Sequence, residues 1–141
     1  MSGMTLPPQK FREIVFQLLY AADFGSEEEG IELVMSALAV SKKWVFTAAE
    51  VKEKIVAVLP QIDASIIQHA HSYDFDRIPK VEKTILRLSV YELLEKQVPS
   101  KVVFAEAIRL ARKFATKESG AFINAVLDSF YKDQIDAKAL A

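Results

Sequence analysis

Apolar residues recur at three- and four-residue spacing along almost the whole chain, the period of an α-helix with one buried face. Phe11, Ile14, Val15, Leu18, Leu19 and Ala22 stand at i, i+3, i+4, i+7, i+8 and i+11 and predict a first helix. Pro7 and Pro8 lie where it begins, Thr5 is a candidate cap, and Gly25 ends it. Ser26 and Glu29 have capping-box spacing ahead of Ile31, Val34, Met35 and Leu38, which predicts a second helix. Thr47 and Glu50 repeat that signal before Val51, Ile55, Val58 and Leu59, and Asp63 can cap a short helix carrying Ile66, Ile67 and Ala70.

The segment from Ser72 to Pro79 reads as a connector, because Pro79 disfavours helix at Ile78. Pro79 then opens a helix with Val81, Ile85, Leu88 and Leu94 on its face. Val98-Pro99-Ser100 breaks the chain, and Ser100 is a candidate cap for a helix carrying Val103, Ala107, Ile108, Ala111 and Phe114. Thr116 caps a last helix with Phe122, Ile123, Val126, Leu127 and Phe130. The expectation is an all-α protein of about seven helices. They form two packed lobes, residues 1–75 and 76–141.

Composition agrees with this pattern. The chain holds only four glycines in 141 residues, too few for the tight turns of a sheet protein. With 51% apolar and 26% charged residues it has the profile of a globular chain. The absence of cysteine excludes disulfides, thiolate zinc sites and cysteine nucleophiles. The start, MSGMTLPPQKFRE, has no apolar signal core, and the apolar stretches are short and broken by charge, so the cytoplasm is the expected address. A net charge of −1 provides no global field toward nucleic acid, so any such site rests on local clustering of Lys and Arg.

Chemistry is sparse. The two histidines, His69 and His71, lie two positions apart and point to different faces of a helix, with no third ligand nearby. No metal site and no cofactor is expected. Glu27, Glu28 and Glu29 suit a helix N-terminus, and Glu92 with Lys96 has the spacing of a surface pair. There is no Gly-rich phosphate loop and no positive sign of an enzyme. What stands out is a basic run, Arg109, Arg112, Lys113 and Lys117, at the end of one helix and the turn into the next. Its plain reading is compensation of a helix C-terminus. The next helix adds backbone N–H groups of Lys117, Glu118 and Ser119 as a phosphate cradle, and Phe122 either stacks on a base or belongs to the core.

The stretch Arg77-Ile-Pro-Lys-Val-Glu-Lys-Thr-Ile-Leu-Arg-Leu-Ser-Val-Tyr-Glu-Leu-Leu94 resembles the signature helix of the NusB transcription antitermination family. Val98-Pro-Ser-Lys-Val-Val103, Glu106-Ala-Ile-Arg-Leu-Ala-Arg-Lys-Phe114 and Ser119-Gly-Ala-Phe-Ile-Asn-Ala-Val-Leu-Asp128 resemble its later motifs, and Arg12-Glu13 with Gln17–Asp23 its first helix. The likeness spans essentially the whole chain; residues 77–128 are the specific part, and 26–72 match only in helical pattern.

The resemblance implies a two-lobed all-α fold and a role in bacterial ribosomal RNA transcription. It implies binding to boxA, a short single-stranded RNA element, together with the ribosomal protein NusE, other Nus factors and RNA polymerase. It assigns Lys10, Arg12, Arg87, Lys113 and Lys117 to phosphates, Ser119 and Phe122 to nucleotides, and Tyr20, Glu82 and Tyr91 to NusE. Two departures stand out. The family's arginine-rich start is here Pro8-Gln9-Lys10-Phe11-Arg12, and its usual Asn-Glu is Ala105-Glu106. Fewer cations mean weaker, less salt-dependent RNA binding. One rival reading is therefore a scaffold that holds the ribosomal partner with little RNA affinity. Another is an accessory domain of an RNA methyltransferase, for which 141 residues leave no cofactor-binding α/β domain.

Overall fold

The structure, a computed structural model, describes residues 6–23, 41–71 and 73–140, the last five of these by backbone alone. Among them are six α-helices and one 3-10 turn, with no strand. They are α1 (Pro8–Ala22), α2 (Lys42–Ala57), α3 (Leu59–His69), the turn Phe75–Arg77, α4 (Lys80–Glu95), α5 (Ser100–Phe114) and α6 (Lys117–Leu140). The all-α expectation holds. The helix expected after Ser26, with Ile31, Val34, Met35 and Leu38, lies outside the described residues, as do Thr5, Gly25 and Glu27 to Glu29.

Described residues fall into two compact units, one ending at Ala57 and the other beginning at Val58. In the first, α1 packs on α2. Phe11 meets Trp44 edge-on, with ring centres 6.4 Å apart, and the apolar stripe of α1 from Ile14 to Leu19 is buried as its spacing predicts. In the second, α4 packs against α3, α5 and α6, and α6 also against α3 and α5. With neighbours on several sides, α4 is buried continuously from Thr84 to Val90. Leu93 belongs to its buried side, whereas Leu94, expected on the apolar face, is 40% exposed.

Local signals set some helix ends and not others. Pro79 precedes α4 and Pro99 precedes α5, each placed where its missing N–H costs nothing. Ser100, expected as a cap, is the first helical residue instead, and no side chain caps α5. The turn before α5 uses Lys96 in the left-handed region at φ 59°, its N–H donating to the Glu92 carbonyl at 3.1 Å. Nor does the Thr47–Glu50 signal start α2, which begins at Lys42; the Thr47 hydroxyl donates back to the Lys43 carbonyl at 2.9 Å. Asp63 likewise sits inside α3, which starts at Leu59, and its carboxylate is taken by Arg87.

Candidate nucleic-acid interface

Thr116 fixes the junction between α5 and α6. Its Oγ1 accepts the Ser119 backbone N–H at 3.1 Å, the bond of an N-cap, and lies 2.9 Å from the Ser119 hydroxyl. The expected phosphate cradle is smaller as a result, since the Ser119 N–H is already occupied and its side chain is buried against the cap. Within the basic run, Arg109 is held by the buried Glu106 through two bonds of 3.0 and 2.9 Å. Glu106 thus has its polar partner on its own helix, although Ala replaces the amide-bearing neighbour. Arg112, Lys113 and Lys117 are exposed, and the Lys113 ammonium lies 5.6 Å from the centre of the Phe114 ring.

Phe122 follows Lys117 by five residues, roughly 7.5 Å along the axis at 1.5 Å per residue. It is only half-buried, while Ile123, Val126, Leu127 and Phe130 carry α6 into the core. Its ring meets Tyr73, 4.6 Å between centres and inclined by 66°. Behind the pair is a cavity of about 210 Å³, with His69, His71 and Ser129 on its wall. His69 ends α3, buried, with Nδ1 2.8 Å from Ser129 Oγ and Nε2 3.4 Å from an Asp133 carboxylate oxygen. Tyr73 and Ser129 were not singled out by sequence. The signal for Ser129 was available, because Phe122, Ala125 and Ser129 recur at i, i+3 and i+7.

The remaining expected residues belong to other elements. Arg87 is buried, with Nε 2.8 Å and Nη2 2.9 Å from the two oxygens of Asp63, and its guanidinium faces the Phe75 ring at 5.8 Å. An incoming phosphate would have to displace Asp63. Glu82 is half-buried in the first turn of α4, where a carboxylate suits the helix dipole. Tyr91 is also half-buried; burial, and then the charge of Glu95, push its phenol above the usual range. Glu82 and Tyr91 are nine positions apart, half a turn out of phase on α4. In the first unit, Lys10 is half-exposed, Arg12 is buried at 8% exposure, and Tyr20 is half-buried with its ring 6.2 Å from that of Phe16. Among the described residues no three His, Asp or Glu side chains gather as a metal site would require. No described helix is long and apolar enough to cross a membrane.

Comparisons with known proteins identify the family. Residues 9–132 match the NusB family. The transcription antitermination protein NusB of Chlamydia pneumoniae is 36% identical over 130 residues, covering 90% of this chain and 81% of that one. That of Sulfurimonas denitrificans is 34% identical over 125 residues, covering 87% and 95%. Among solved structures, T. maritima NusB is 32% identical with a TM-score of 0.78, covering 92% of this chain and 93% of that chain. A chain in the crystal structure of the antitermination factors NusB and NusE in complex with dsRNA is 29% identical with a TM-score of 0.75, covering 89% and 96%.

Proposed function

Since the chain belongs to the NusB family, we propose that it is a transcription antitermination factor that binds boxA-type single-stranded RNA together with the ribosomal protein NusE. In this role it supports ribosomal RNA transcription by RNA polymerase, alongside other Nus factors. It binds and does not catalyse, needs no cofactor, and works in the cytoplasm where nascent RNA is made.

The observation that carries the RNA reading is the α5–α6 junction. There exposed Arg112, Lys113 and Lys117 lead within one and a half turns to the ring pair Phe122 and Tyr73. Cations hold a phosphate backbone without reading sequence, and exposed rings stack bases that have left a duplex. Lys10 and Arg12 are the further phosphate contacts of this reading, and Ser119 shapes the start of α6. Arg87 would join them only by giving up Asp63. Tyr20, Glu82 and Tyr91 are assigned to NusE.

A second reading, a scaffold for the ribosomal partner with little RNA affinity, is favoured by the burial of Arg12 and the pairing of Arg109 with Glu106. A mobility-shift titration with boxA-type and scrambled RNA, beside a pulldown of NusE, separates the two. Preference for the boxA-type RNA supports the first reading. Partner capture without RNA binding supports the second.

A further inference from the structure

We propose that the cavity beside Phe122 receives one unstacked RNA base, with Tyr73 as a second aromatic wall and Ser129 as the group that reads the base edge. This rests on the RNA-binding reading and goes beyond it. It assigns ligand contacts to Tyr73, Ser129 and His71, and it selects a class of base.

The chemistry of the wall points to a base rather than to a phosphate. None of the described residues lining the cavity is Lys, Arg, Asp or Glu. Its faces are aromatic and aliphatic, and the polar groups of its lining side chains are two imidazoles, the Ser129 hydroxyl and the Tyr73 phenol. A flat, neutral heterocycle with hydrogen-bonding edges matches that set, whereas a phosphate would meet no cation. The volume of about 210 Å³ lies below the ~300–1,000 Å³ of clefts that enclose drug-sized ligands, so one ring system is the natural occupant. Ala125 stands between Phe122 and Ser129 on the same face of α6, and its small side chain leaves that space open.

Tyr73 is 59% exposed although its ring already contacts Phe122 at 4.6 Å between centres. The two rings are inclined by 66°, so a base stacked on one presents its edge toward the other. This is the edge-to-face arrangement, one of the two that aromatic quadrupoles favour. Tyr73 also lies in the connector rather than on a packed helix, so its exposed ring is held by Phe122 while its phenol reaches solvent.

The direction of the hydrogen bonds sets the class of base. His69 has 7% of its side chain exposed and is fixed from two sides. The Asp133 carboxylate, 3.4 Å from Nε2, favours the proton on that nitrogen. In the neutral ring Nδ1 is then an acceptor, and the Ser129 hydroxyl, 2.8 Å away, is placed to donate to it. With its only hydrogen committed, Ser129 can only accept from a ligand. A base that offers an exocyclic amine, as adenine, cytosine and guanine do and uracil does not, supplies that donor. His71, exposed at the mouth with its ring centre 6.3 Å from that of His69, is positioned to meet the same edge.

The test uses the full chain and a boxA-type single-stranded RNA in which each base in turn is removed to leave an abasic site. For the wild type, one position should stand out. Loss of the base there should weaken binding roughly 5- to 100-fold, the range expected for one stacked base. Replacing an amine-bearing base (adenine, cytosine or guanine) at that position by uracil should also weaken binding. Tyr73→Leu should bind the intact RNA more weakly by a similar factor and lose its sensitivity to that abasic site. Ser129→Ala should lose the preference over uracil while keeping the response to the abasic site. Melting curves confirm that each variant is folded, and Lys117→Ala reports the phosphate-binding surface independently. If folded Tyr73→Leu binds as the wild type while Lys117→Ala is weakened, the base pocket is wrong and the RNA reading stands. If the wild type binds no RNA, the RNA reading falls and the pocket with it.

Discussion

Arg87 and Asp63 face each other as a two-pronged ion pair, Nε to Oδ1 at 2.8 Å and Nη2 to Oδ2 at 2.9 Å, which ties α4 to α3. Only about 10% of the arginine side chain and 21% of the aspartate side chain are exposed. Removing one partner strands a buried charge. Asp63→Ala should therefore cost about 3 kcal/mol, the low end of the range for broken buried pairs because Asp63 retains some water. Replacing both residues, Asp63→Leu with Arg87→Met, should recover most of that loss. Urea unfolding of the two variants measures it. Equal stability of Asp63→Ala and wild type would show that the pair is not what holds these helices.

Thr116 offers a smaller and cleaner change. Its hydroxyl accepts the Ser119 N–H at the start of α6. Thr116→Ala should cost about 1 kcal/mol and Thr116→Ser almost nothing, since serine keeps the oxygen. Denaturant midpoints of the three proteins decide it. A loss in the serine variant as large as in the alanine variant would point to methyl packing in place of the cap.

Gly120 is buried in α6, and a Cβ built there meets Ile108 Cγ2 at 3.9 Å, an ordinary contact. Gly120→Ala should therefore raise stability by about 0.5–1 kcal/mol through the entropy that glycine loses in a helix. A lower melting temperature would show that α5 and α6 approach more closely than this.

Tyr91 predicts a change at alkaline pH. Burial, and then Glu95, raise its phenol above the usual value near 10. Between the unfolded and the folded values, the folded chain keeps a proton that the unfolded chain has lost, so stability falls as pH rises through that window. Below pH about 10 the contribution is fully present. Wild type should accordingly lose stability faster than Tyr91→Phe when thermal unfolding is followed from pH 9 to 11. Parallel profiles would contradict it.

Proline and cap chemistry act within a few residues of chain, so the start of α4, the break at Val98–Ser100 and the Thr116 cap were readable without a structure. The same chemistry misled at Thr47 and Asp63, because a side chain that can cap can also bond back within its helix or pair with a distant residue. The continuous burial of α4 was hidden for a related reason. Arg87 and Ser89 look like a polar side until Asp63 arrives from α3 and neighbours cover the helix on several sides. For the candidate site, Phe122 was legible from its position after the cap. Tyr73 was not, since it lies in a connector without periodicity and acquires meaning only through its contact with α6.

The central claim is that this chain and NusE bind RNA as a unit. Alone, with a net charge of −1 and few cations near its start, the chain should hold RNA weakly. A basic ribosomal partner adds a second set of contacts, and linking two surfaces raises affinity through effective concentration. The decisive measurement is a pair of titrations of boxA-type RNA at one fixed salt concentration, with and without NusE. The account predicts at least about tenfold tighter binding by the heterodimer, about 1.4 kcal/mol. The same factor should appear when RNA is used to tighten NusE binding. Glu82→Lys should remove most of the gain while leaving the free chain's RNA affinity nearly unchanged. Equal affinities with and without NusE would contradict it.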